Sequence, residues 1–182
     1  MINFKGLLAA LMLGLATAAS AGPTISGFNG GYDVSNWSQA PDTGTIDVSG
    51  APDSVTLISS NAGGGVHNTD FTTAALGTGL VSFSWFYNTT DVDGSGFDPF
   101  GWLLNGVFTQ VTTNGLFGSQ SGTVSFLANE GDIFGFRIFA TDSVLGSASA
   151  TVSDFSAVPE PESLALVGLA LAGLSMLRRR RV

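Results

Sequence analysis

Asp91-Val92-Asp93-Gly94-Ser95-Gly96-Phe97-Asp98 is the densest polar stretch of the chain, with alternate carboxylates on a glycine-bearing loop. Such a loop can converge oxygen ligands on one hard cation, and calcium, which takes ~6–8 oxygens in tolerant geometry, suits it best. Asp91, Asp93 and Asp98 are the expected ligands, with the Ser95 oxygen as a weaker one. The same residues also fit a plain solvated turn, in which Asp and Gly satisfy local backbone groups. An EF-hand is excluded: Gly96 falls sixth from Asp91, but Trp102 stands twelfth, where a bidentate Glu is required, and no flanking helices are predicted.

Other reactive constellations are scarce. His67 is the only histidine and lies beside Gly63-Gly64-Gly65, with no G-x-S-x-G nucleophile motif near it. Without cysteine there is no thiol nucleophile, no disulfide framework and no sulfur ligand for zinc. Pairs of Asp and Glu could hydrolyse glycosides only at a carboxyl separation of ~5–10 Å, which a sequence does not fix. The expectation is therefore a non-enzymatic protein with no catalytic residues, and a glycoside hydrolase or other hydrolase ranks third among the readings.

These residues need a scaffold, and its periodicity is two. Val81-Ser82-Phe83-Ser84-Trp85, Thr123-Val124-Ser125-Phe126-Leu127 and Ile133-Phe134-Gly135-Phe136-Arg137-Ile138-Phe139 alternate as half-buried strands do. Turn signals recur about every ten residues, among them Asp42-Thr43-Gly44, Asp93-Gly94, Asn114-Gly115 and Glu130-Gly131-Asp132. Asn105-Gly106 between Phe100–Leu104 and Val107–Val111 predicts a type I′ hairpin, because both central residues accept positive φ. About eight or nine short strands are expected, which makes the chain all-β: a single antiparallel β-sandwich, jelly-roll-like.

Phe83, Trp85, Phe126, Phe134, Phe136 and Ile138 fall on alternate strand positions, the spacing of a core face. Trp37, Tyr87, Phe97, Phe100 and Trp102 lie in or near turns and are the rings to suspect of exposure, with Trp102 and Phe97 the first choices for stacking on a glycan. Arg137, alone among apolar neighbours, is expected to pair with a nearby acid such as Asp142 or Asp132, since an unpaired buried guanidinium is strongly destabilising.

Both ends differ in kind from this body. Lys5, an apolar stretch from Gly6 to Ala16 and the small residues Ala19-Ser20-Ala21 compose a signal peptide over 1–21, cut before Gly22. Its apolar segment is about half the ~20 residues that span a bilayer. At the other end, Val158-Pro159-Glu160-Pro161 precedes an apolar run from Leu164 to Leu177 and the cluster Arg178-Arg179-Arg180-Arg181. The run reads as a short transmembrane helix whose arginines stay on the cytoplasmic side, so the body lies outside. The domains are then 1–21, the sandwich over 22–157 and the tail over 158–182. Within the body Arg137 faces 12 carboxylates, a net charge of −11. That field repels phosphate backbones, which excludes nucleic acid as a partner, and it favours a divalent cation.

This tail closely resembles the PEP-CTERM sorting signal of exported Gram-negative bacterial proteins, through Pro159-Glu160-Pro161, the apolar segment and the terminal arginines. The resemblance implies an integral-membrane exosortase as a partner after signal peptidase, removal of the anchor, and an extracellular polysaccharide setting. Asn68-Thr69-Asp70-Phe71-Thr72-Thr73, the run Asp98 to Gln110 and Phe136-Arg137-Ile138-Phe139-Ala140-Thr141-Asp142 are similar to segments of uncharacterised PEP-CTERM proteins, which implies a shared fold and no activity. The sequence thus predicts an exported cell-surface or extracellular-matrix protein, membrane-anchored before processing. The alternative is a calcium-assisted carbohydrate-binding module.

Overall fold

The structure, a computed structural model, describes residues 24–160. Eleven strands follow in order: β1 (Ile25–Ser26), β2 (Ser38–Ala40), β3 (Thr45–Asp47), β4 (Ser54–Ile58), β5 (His67–Ala74), β6 (Gly79–Thr89), β7 (Phe100–Leu104), β8 (Val107–Gln110), β9 (Gly118–Ala128), β10 (Ile133–Ala140) and β11 (Ala148–Pro159). The excess over the expected eight or nine lies in β1, β2 and β3, edge pieces of two or three residues. They are too short to show alternation in the sequence. Among the described residues no helix is long and apolar enough to cross a membrane.

The strands form two sheets. One runs β3-β4-β11-β6-β9, with β1 also pairing to β11; the other runs β2-β5-β10-β7-β8. From β4 onward the chain changes sheet at every connection except the β7–β8 hairpin, so that β4-β11-β6-β9 faces β5-β10-β7-β8. That is the eight-strand double-Greek-key jelly roll. At the hairpin Asn105 has φ 51° and Gly106 φ 81°, as a type I′ turn requires.

Alternation fixes the core. On β6, Val81, Phe83, Trp85 and Tyr87 point inward, and on β10 Phe134, Phe136 and Ile138 do. On β11 the buried set shifts phase: Ala148, Ala150 and Val152 are followed by Phe155 and Ala157. Asp154, at φ 49°, supplies the extra residue of a bulge. Before it β11 pairs with β4 as far as Ser153, and after it with β1 at Ser156 and Ala157.

Trp37, one of the rings suspected of exposure, is buried. It enters from the segment before β2 and stacks on Phe71 (4.5 Å between centroids) and on Phe136 (5.6 Å), while its Nε1 donates to the Tyr32 carbonyl at 3.0 Å. Tyr87 and Phe100 are likewise buried. Trp102 is half-buried and stacks on Phe126 of the opposite sheet at 4.2 Å, because the β7–β10 register sets it beside Phe136 on the inner face. Nearness to a turn is no guide to exposure for these four rings: strand parity decides for Tyr87, Phe100 and Trp102, and the path of the segment before β2 decides for Trp37.

Arg137 does form an ion pair, but with Asp70. Its Nε and Nη2 donate to the two carboxylate oxygens at 2.6 Å each, across directly opposed positions of β10 and β5. Asp132 instead accepts from Asn105 and Asn129 at the turn before β10, and Asp142 accepts from the Val144 amide.

If this inner face carries the stability, Phe136→Ala should lower the unfolding free energy by about 3–5 kcal/mol. Leu127→Ala, on the outer face, should change it by less than ~0.5 kcal/mol. Urea denaturation of both variants measures the contrast, and equal losses would contradict the assigned parity.

Candidate functional site

Four connections meet at the end of the sandwich where β11 begins. They are residues 59–66 after β4, 90–99 between β6 and β7, 111–117 between β8 and β9, and 141–147 between β10 and β11. Backbone hydrogen bonds lace them together: Thr90 N to Ser147 O at 2.9 Å, Ser95 N to Leu116 O at 2.9 Å, Thr141 N to Phe97 O at 2.8 Å and Gly63 N to Ser143 O at 2.9 Å. Gly146 is required here. A Cβ on it would stand 2.6 Å from the Asp91 backbone, at a φ of +142° that side-chain-bearing residues rarely adopt.

The acidic loop is folded differently from the simple cation loop its spacing suggests. Asp93 is exposed, whereas Asp91, Ser95 and Asp98 are buried. Ser95 serves the loop itself: its hydroxyl donates to Thr113 O at 2.7 Å and accepts from Leu116 N at 3.1 Å. Asp91 closes an Asx turn by accepting from Asp93 N at 2.7 Å. The four residues do not converge, and among the described residues no three of His, Asp and Glu stand close enough to share a metal ion.

Asp98 sits instead in a buried polar nook with partners remote in sequence. Its Oδ2 and the Tyr87 hydroxyl are both fully buried and lack any hydrogen-bond partner. Burial, followed by the negative charges of Asp91 and Asp142, pushes the Asp98 carboxyl up to about 6, and the Ser59 hydroxyl offsets part of that rise. Burial also raises the Tyr87 phenol, again with a contribution from Asp98. That Tyr87, Ser59 and Asp142 gather around Asp98 escaped the sequence reading, which took Tyr87 as a ring suspected of exposure and Asp142 as a partner for Arg137. No local signal marks them, since they reach Asp98 from three other segments of the chain.

Around the nook the loop tips are apolar. Phe117 is 71% exposed and Val92 64%, with Leu116, Leu145 and Phe97 also exposed. Trp102 contributes nothing to this surface, because its ring is turned into the core against Phe126. Of the two suspected glycan-stacking rings Phe97 is exposed and Trp102 only half-buried. His67 lies at the surface beside this end, with Nδ1 2.8 Å from Asp42 Oδ2 and Nε2 3.3 Å from the Gly64 carbonyl. Its pKa is raised, mainly by the hydrogen bond to Asp42.

Strand order and core thus define a jelly-roll β-sandwich, and its chain trace is similar to solved carbohydrate-binding modules. One, from a study of specific mannan recognition, is 9% identical with a TM-score of 0.42, over 78% of this chain and 98% of that one. A family 35 module from Clostridium thermocellum is 11% identical with a TM-score of 0.38, over 72% and 98%. Another family 35 module, from Paenibacillus barcinonensis, is 16% identical with a TM-score of 0.35, over 76% and 99%. No curated protein matches the chain. The chain carries a PEP-CTERM protein-sorting motif, whose family model matches residues 157–181. Ala157 to Glu160 of that match are described, whereas Pro161, the apolar run, Arg178 to Arg181 and the leader with Ala19, Ala21 and Gly22 lie outside the described residues.

Asp98 sets a pH signature. Its carboxyl, ordinarily near 3.8, is raised to about 6 in the folded state, so between those values the native protein holds more protons than the unfolded chain. Stability therefore is highest below pH 4 with respect to this group and falls as pH rises through about 6. Roughly two pH units at ~1.4 kcal/mol each give a deficit on the order of 3 kcal/mol above pH 7. With chelator present, Asp98→Asn should be more stable than the parent at pH 8 and equal to it near pH 4, read as urea midpoints. A difference that stays constant with pH would refute this assignment.

Proposed function

We propose that this protein is an exosortase-processed, non-enzymatic component of the cell surface or extracellular matrix, with the jelly roll as cargo and the C-terminal tail as a removable anchor. The observation that carries the reading is the sorting motif, whose match begins at Ala157, within the last three residues of β11. The signal is thus joined to a closed β-sandwich with almost no linker. A leader cut between Ala21 and Gly22, an apolar anchor over 164–177 and arginines at 178–181 belong to the same proposal. A non-enzymatic role belongs to the same proposal. Intact mass of the protein recovered from its native host tests the processing. The expected product starts at Gly22 and ends near Pro161, and a host lacking exosortase should yield a species extending to Val182. A cytosolic product with its leader attached would refute it.

A calcium-assisted carbohydrate-binding role is the second reading. It is favoured by the unpartnered Asp98 oxygen beneath exposed Phe97 and Phe117. Two carboxylates, Asp98 and Asp91, could hold calcium there only with neutral oxygens completing the ~6–8 ligands. Glycan-array binding that vanishes on Phe117→Ala and on chelation is the expected result. Binding that ignores both changes, or no binding to any glycan, removes this reading.

A further inference from the structure

The end of the sandwich opposite the candidate site carries a second apolar surface. β11 and β1 meet there at Ala157 and Ile25. The turns before β6, between β7 and β8, and between β9 and β10 lie at the same end, since Glu130 N donates to the Thr78 hydroxyl and Asn105 bonds to Asp132. Leu80 and Leu127 oppose each other across β6 and β9 next to these turns. Leu76, Leu80, Val107, Leu127, Ile133 and Val158 are all exposed, Val107 at 67% and Leu127 at 61%. By contrast, the middle of the outer face on these strands is hydroxylic, as in the Ser82–Ser125 pair at 3.0 Å. Singly exposed aliphatic residues need no explanation, but six gathered at one end do.

Chain length says what lies opposite. Between Pro159, where β11 ends, and Leu164, where the apolar run starts, there are five Cα steps, a reach of roughly 18 Å at full stretch. A bilayer adds a headgroup layer of roughly 5–8 Å on each side of its hydrocarbon. A body tethered this closely at its apolar end has the lipid surface within contact range. Charge narrows the surface further. Among the described residues no cation stands at this end, and Glu130 and Asp132 are acidic, so the described surface offers no attraction to anionic lipid. Asp132 is already satisfied by Asn105 and Asn129, whose bonds hold its carboxyl below the usual range.

The geometry points to the tail-proximal end of the jelly roll as a docking surface for a zwitterionic bilayer, with its exposed aliphatic residues resting in the headgroup layer while the anchor is intact. The inference rests on the anchored reading of residues 164–177. Docking would hold the Pro159-Glu160-Pro161 signal at the membrane surface, within reach of an integral-membrane protease, and would point the candidate site away from the lipid. Apolar burial is its source of affinity, as for other interfacial surfaces.

The absence of cysteine makes the test direct. Single-cysteine variants Leu127→Cys, Ile133→Cys and Phe117→Cys of the full-length chain are labelled with an environment-sensitive fluorophore and reconstituted in phosphatidylcholine vesicles. The labels at 127 and 133 should shift to the blue and be quenched by aqueous iodide several-fold less than the label at 117. Equal quenching at all three positions, in chains that float with the vesicles, overturns docking and leaves the anchor standing. Chains that fail to float sink both ideas. Shielding that arises only when exosortase is co-reconstituted overturns the lipid partner in favour of a protein surface. Should Ile133→Cys misfold, Leu127→Cys decides alone, because Leu127 projects from the outer face of a paired strand.

Discussion

Trp37 occupies the space that two facing sheets leave between them, and the rest of the sandwich is arranged around that ring. Phe71 and Phe136 lie flat against it, Phe134 and Phe155 meet it edge-on, and Phe28 packs on Phe155 at 5.1 Å. Contacts of this kind add roughly 0.5–1.5 kcal/mol each to what area burial supplies. With no disulfide available, aromatic packing and sheet hydrogen bonds must hold the exported body. The indole nitrogen is satisfied by the Tyr32 carbonyl, so the ring can be buried without leaving an orphan donor.

A closed roll of this kind has two ends and two outer faces, and their chemistry differs. One end gathers the long connections, apolar at the tips and carboxylate-lined beneath, where Asp98 and Tyr87 are the polar groups left unsatisfied. The other gathers short turns, the N-terminal strand and the exit toward the sorting motif. The bulge at Asp154 underlies this division. By inserting one residue it lets β11 present Phe155 and Ala157 to the core and pair with β1 after it has finished with β4. The Arg137–Asp70 pair serves the second sheet's outer face, where partial solvation lowers the cost of keeping two charges.

How much of this was readable in advance follows the range of the interactions. Strand parity in β6, β9 and β10, the positive φ at Asn105-Gly106 and the sorting tail are written in contiguous residues, and each is found where local pattern placed it. Tyr87, Phe100 and Trp102 were misjudged because proximity to a turn says nothing about which face a strand residue takes once register is set, and Trp37 because the segment before β2 folds inward between the sheets. The partner of Arg137 was sought nearby in the chain, while pairing of β10 with β5 brings Asp70 across 67 residues.

The sequence by itself determined the all-β class, the hairpin, the inward rings of β6 and β10 at Phe83, Trp85, Phe134 and Phe136, and the address carried by the tail, because periodicity of two, turn chemistry and apolar length are local properties. Only the tertiary structure decided which carboxylates are buried together. Asp91 and Asp98 share a loop, but Tyr87, Ser59 and Asp142 join them through strand pairing and the crossing of loops from different sheets. The desolvation that lifts Asp98 arises from that enclosure, and no spacing along the chain encodes it.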